Sequence, residues 1–178
     1  MRPGGGWALH GTTQLIRAAL LNNLPRVLQL VQLGAPLDLG EETNKMSALH
    51  WASCDGHERV AKALLDGKYE GRGADVNLLP PRSCTPLMAA SLQGHEGVVR
   101  LLLERGARLD LQSLAGDTAL HYAVIYDHAV LLEALCSTQG ATAALALRDV
   151  YGQTPLKYAI AHGHAACEAV LRAHGAPE

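Results

Sequence analysis

The chain has 178 residues, 48% apolar, 18% charged and 4% aromatic, which is enough for about one domain with a real core. Fifteen Lys and Arg against 17 Asp and Glu leave a net charge of −2, so no cationic excess exists to neutralise a phosphate backbone, and nucleic acid is excluded as a first choice of partner. The longest apolar runs have five residues, at 122–126 and 143–147, against the ~20 a bilayer-spanning helix needs, so no such span is expected.

Residues 1–12 read as an N-terminal extension. Their sequence, MRPGGGWALHGT, lacks the continuous apolar stretch of a secretory signal, and an intracellular, cytoplasmic location is expected, with nuclear or cytoskeletal association left open. From residue 13 the chain repeats itself. TQLIRAALLNNLPRVLQLVQLGAPLDL opens at Thr13, SALHWASCDGHERVAKALLDG at Ser47, and TPLMAASLQGHEGVVRLLLERGARLDL at Thr85. TALHYAVIYDHAVLLEALCSTQGATAAL follows from Thr118 and TPLKYAIAHGHAACEAVLRAHGA from Thr154. The units are about 13–46, 47–84, 85–117, 118–153 and 154–178, with spacings of 34, 38, 33 and 36.

Each unit predicts a pair of helices. Thr or Ser opens the first helix as an N-cap, and Pro86 and Pro155 take the first helical position, where a missing N–H costs nothing. Gly56, Gly94 and Gly163 are expected to end that helix in the left-handed conformation, with Asp127 in their place in the fourth unit. A second, amphipathic helix follows, clearest in Val98, Val99, Leu101, Leu102 and Leu103. Between units, Ser113 to Gly116 and Asp149 to Gly152 have the residues of a type I turn, whereas Lys45 and Ser83 stand where the other two turns place Gly.

A period of about 33 with TPL at Thr85 and Thr154, ALH at Ala48 and Ala119, Gly-His at Gly56, Gly94 and Gly163, and Gly-Ala at Gly34, Gly73, Gly106, Gly140 and Gly175 resembles the ankyrin repeat. The resemblance covers nearly the whole chain. It implies an all-α solenoid of about five helix-turn-helix repeats with β-turn fingers, occupying residues 13–178, and a non-catalytic protein-interaction module. It also implies that the ring at His50 and His121 hydrogen-bonds between neighbouring repeats, that His57, His95, His128 and His164 are scaffold, and that Asn77 matches a position modified by asparaginyl hydroxylases. Glu168 and Arg172 in the last unit and Arg17, Asn22, Asn23 and Arg26 in the first read as polar caps of a complete stack.

Two irregularities stand out. Glycines at 67, 71 and 73 around Lys68 form an insertion, but GxxxxGK[ST] is absent and a surface loop is expected. The extra three residues of the fourth unit are expected to lengthen a helix end and loop. The alternative function is a Cys/His-dependent catalytic or metal-binding protein. Cys54 with His57 is the sequence-local pair for it, while Cys84, Cys136 and Cys167 lie far apart and read as free, mostly buried thiols. No cofactor, metal or small-molecule substrate is called for by any motif.

In the resembled family, partners lie in a concave groove formed by the finger tips and the exposed side of the first helices. Projected onto that surface, the protein-binding candidates are Trp51, Arg82, Leu92, Leu114, Tyr122, Ile125, Tyr126, Tyr151, Tyr158 and His162. Five of the seven aromatics fall there, and Tyr and Trp are the usual anchors of protein interfaces. The expected partner is another protein, alone or within a larger assembly, contacting mainly the third to fifth units. From Arg59 to Arg108, eight Lys or Arg face five Asp or Glu, a modest basic excess.

Overall fold

The computed structural model describes residues 8–9, 12–67, 73–81 and 83–177. The insertion around Lys68 and the candidate Arg82 lie outside the described residues. The helices come in pairs: α1 (Gln14–Leu20) with α2 (Leu24–Gln32), α3 (Ala48–Cys54) with α4 (Glu58–Asp66), and α5 (Pro86–Gln93) with α6 (Glu96–Glu104). The fourth unit has α7 (Ala119–Ile125), α8 (Ala129–Cys136) and a short α9 (Ala141–Leu145), and the fifth has α10 (Pro155–His162) and α11 (Ala165–Ala173). Ahead of them, two-residue strands β1 (Ala8–Leu9) and β2 (Thr12–Thr13) pair antiparallel, which ties the extension to the start of the first unit.

The first helices start where the sequence places a hydroxyl. Thr13, Thr85 and Thr154 accept from the backbone N–H three residues on, at 3.1, 3.2 and 3.2 Å, satisfying a donor that the helix leaves unpaired. They stop at one left-handed residue. Gly56, Gly94 and Gly163 have φ of 71°, 77° and 72°, and the same place is filled by Asn22 at 51° and Asp127 at 55°, the two side chains that best tolerate this region after Gly. The N–H of the following residue then closes onto the carbonyl of a buried alanine, Ala18, Ala52, Ala90, Ala123 or Ala159, at 2.8 to 3.0 Å.

Packing follows from composition. The first helices are rich in Ala and lie between neighbours, α1 on α3, α3 on α5, α5 on α7 and α7 on α10, so in α5 the residues from Pro86 to Ser91 are all buried. The second helices form an outer layer and bury one stripe only, such as Val60, Ala61 and Leu64 in α4 or Val98, Val99, Leu101 and Leu102 in α6. The continuous core between the two layers is therefore built from small and aliphatic side chains without any Phe. It is an all-α repeat solenoid.

Three details differ from the sequence reading. The extra residues of the fourth unit do not lengthen α8; Gly140 turns the chain at φ 91°, and α9 starts anew and buries Ala141, Ala144 and Leu145. The first unit is a polar cap only in part, because Arg17, Asn22, Asn23 and Arg26 are exposed as expected but so are Leu21, Leu28, Leu33 and Leu39, at 67%, 44%, 59% and 48%. In α2, Val27 and Leu30 already satisfy the core, and a helical period leaves Leu28 turned away from it. Finally, Lys45 adopts φ 62° in the first finger, so the turn keeps its left-handed residue without a glycine.

Candidate functional site

The last two fingers are built by backbone and side-chain hydrogen bonds that fix their tips. In one, Gly116 N–H donates to Ser113 O at 2.9 Å and Ser113 N–H to Asp117 O at 2.8 Å; in the other, Gly152 donates to Asp149 at 3.0 Å and Asp149 to Gln153 at 3.0 Å. Asp149 Oδ1 also accepts from Tyr151 and Gln153 N–H, at 2.9 and 2.8 Å. The two tips are joined directly, Val150 N–H donating to Ala115 O at 2.9 Å. Gly116 is needed there twice over: its φ is 80°, and a Cβ would come within 2.8 Å of Asp149 Cα.

These joined tips hold Leu114, Val150 and Tyr151, exposed at 75%, 64% and 84%. Tyr126, the residue that caps α7, is 52% exposed, and its ring stacks on that of His128 with centroids 6.4 Å apart. His162 is exposed at the end of α10 and stacks on Tyr158 at 4.3 Å. Trp51, Tyr122 and Tyr158 are half-buried and pack against the core, and Leu92 and Ile125 are half-buried as well. Tyr122 bonds to Ser113 in the finger, and burial pushes its phenol up. Of the ten residues projected onto this surface, Leu114, Tyr126, Tyr151 and His162 thus offer open area. Val150, beside Tyr151 in the same finger, belongs with them although it is not among the ten candidates.

The histidines serve the stack. His50 Nδ1 accepts from Ser47 N–H at 3.1 Å, so Nε2 carries the proton and donates to Leu78 O and Cys84 O at 3.1 and 2.9 Å, across to the next unit. His121 does the same between Thr118 and Gln153 O. Burial lowers both rings, His50 to about 4. In the other direction, His57, His95 and His128 lie 3.3, 2.9 and 3.2 Å from Leu20 O, Cys54 O and Leu92 O of the preceding unit. His164 departs from that series and faces Asp127 Oδ1 at 3.3 Å.

The proposed thiol–imidazole pair is not brought together: His57 is directed at Leu20, and Cys54 Sγ accepts from Gln93 Nε2 at 4.0 Å. Asp127, His164 and Cys167 do meet, yet with the polarity opposite to a nucleophile's. The Cys167 thiol donates to Asp127 Oδ1 at 3.4 Å, and burial with the adjacent carboxylate pushes it up to about 12. Burial raises Cys54, Cys84 and Cys136 too. Among the described residues, no three His, Cys, Asp or Glu side chains are placed to hold a metal ion, and no helix is long and apolar enough to cross a membrane. Asn77 is engaged on both sides of its amide, accepting from Arg108 N–H at 2.8 Å and donating to Gly106 O at 3.1 Å.

The comparisons agree with this frame. The family model "Ankyrin repeats (3 copies)" matches residues 15–113 and 107–177. The chain is similar to two rice proteins (Oryza sativa subsp. japonica), the probable E3 ubiquitin-protein ligases XBOS31, 35% identical over 136 residues and 73% of this chain, and XBOS32, 35% identical over 123 residues and 68% of this chain. It is also 42% identical over 83 residues, 46% of the chain, to the human ankyrin repeat and KH domain-containing protein 1. The matched regions cover 29%, 22% and 3% of those proteins, so the chain spans less than a third of each. With paired helices along its described length, joined tips in the last two fingers and histidines bridging successive units, the chain belongs to the ankyrin-repeat family.

Proposed function

We propose that this chain is a non-catalytic protein-interaction module that binds a partner protein through the finger tips and the exposed side of the first helices in units three to five. It would act as an adaptor, an assembly subunit or an inhibitor. The observation that carries this reading is the cluster of Leu114, Val150 and Tyr151 on two hydrogen-bonded tips. Large apolar side chains at such exposure, fixed by a rigid turn, lose little entropy on binding and bury much area. Ankyrin repeats generally mediate protein–protein interaction, and the similarity to parts of proteins named ubiquitin ligases accords with a recruiting role inside a larger assembly. The upward shift of all four thiols speaks against cysteine nucleophiles.

The test is affinity capture from native cells with wild type and a Tyr126→Ala/Tyr151→Ala variant. Both side chains are exposed, so the variant should keep its helicity and melting temperature. Recovery of the specific partner should drop at least about tenfold, as expected when interface anchors are truncated. Equal recovery from both proteins would place binding elsewhere.

A further inference from the structure

A second surface lies on the outer layer, away from the fingers. Between α2 and α4 the second helices open into a groove of about 640 Å³ whose two walls differ in kind. On α2, Leu24, Leu28 and Val31 line it at intervals of four and three, one face of a helix, while the core takes Val27 and Leu30 from the same helix. On α4, Arg59 and Lys62 stand three apart on one face, both exposed, with no carboxylate partner among the described residues. The acid in the lining, Asp66, is already taken by Arg105 at 2.7 Å.

We propose that this groove binds an acidic amphipathic helix of a partner protein, with leucine-type side chains against the α2 wall and carboxylates against Arg59 and Lys62. Charge complementarity names the occupant: two cations without a carboxylate partner among the described residues stand beside an apolar stripe, and a segment carrying both Leu and Glu satisfies the two at once. The helical form follows from the walls, since two neighbouring helices present a furrow into which the ridges of a third fit. A bilayer surface matches less well, because it favours apolar groups standing beyond the cations, and here Leu24 and Val31 are only half-exposed. The site is independent of the finger surface.

The experiment uses the isotope-labelled full chain and two designed peptides of about four helical turns. One carries Leu on one face and Glu along its flank; the other has Lys for every Glu. The Glu peptide should give saturable amide shifts confined to α2 and α4. Arg59→Glu/Lys62→Glu should weaken it by about tenfold or more and gain binding to the Lys peptide, and Leu28→Ser should weaken both interactions without moving the α10 and α11 resonances. Absence of shifts at millimolar peptide, equal binding of both peptides to wild type, or preferential binding to phosphatidylserine vesicles would each overturn the proposal.

Discussion

Burial keeps His50 and His121 neutral, and each ring accepts a backbone N–H at Nδ1 while Nε2 donates into the next unit. For His50 the folded value of about 4 lies below the ordinary 6.5. As pH falls, the unfolded chain takes up the proton first, so stability present above about pH 6.5 is lost progressively down to about pH 4, by roughly 3 kcal/mol. Urea unfolding across that window should show His50→Gln less stable at neutral pH but with a shallower slope below pH 6.5; an unchanged slope would mean that other groups dominate acid unfolding. Ser53 and Ser91 occupy one position in successive first helices, each fully buried, each with a hydroxyl lacking a hydrogen-bond partner. The fourth unit fills that position with buried Val124. Ser53→Ala and Ser91→Ala should therefore raise stability by up to about 1 kcal/mol in chemical denaturation, since a desolvated, unsatisfied hydroxyl is removed.

At the scale of elements, turn chemistry separates what sequence shows from what it hides. Hydroxyl caps, Pro at the first helical turn and Gly at the end placed the first helices correctly, because each rule depends on a few neighbouring residues. Asn22 is a residue type that tolerates the left-handed conformation, but Lys45 takes it although no local rule favours Lys there; the surrounding hydrogen bonds impose it. The same holds for α9, where Ala141, Ala144 and Leu145 become a helix by burying against the fourth unit rather than by extending α8. The fingers allow a direct comparison of strain with clash. Gly116→Ala meets both a φ of 80° and the Asp149 backbone, whereas Gly152→Ala meets a φ of 75° with open space. Thermal unfolding should show a loss of about 1 kcal/mol for Gly152→Ala and at least about 2 kcal/mol for Gly116→Ala. Equal losses would mean that the two tips are not joined as described.

For the whole molecule, stability is a sum of neighbour contacts, and function depends on surfaces the stack leaves over. Periodicity made the repetition itself readable from the sequence, and the resemblance to the ankyrin repeat implied the scaffold role of most histidines. The surface was readable only as a set of positions: exposure then divides it, because Trp51, Tyr122 and Tyr158 spend their area on packing while Leu114, Tyr126 and Tyr151 do not. The exposed leucines of the first unit were hidden, since a run such as LPRVLQLVQ has more apolar residues than one helix face can bury. The most direct test of the binding surface is photo-cross-linking from single positions, with benzoylphenylalanine replacing Leu114 or Tyr151 on the fingers and Val130, 73% exposed, on α8. One and the same partner protein should be cross-linked from Leu114 and Tyr151 but not from Val130, and Tyr126→Ala should abolish both products. Cross-linking from Val130 alone, or equally from all three positions, would contradict the finger surface as the place of binding.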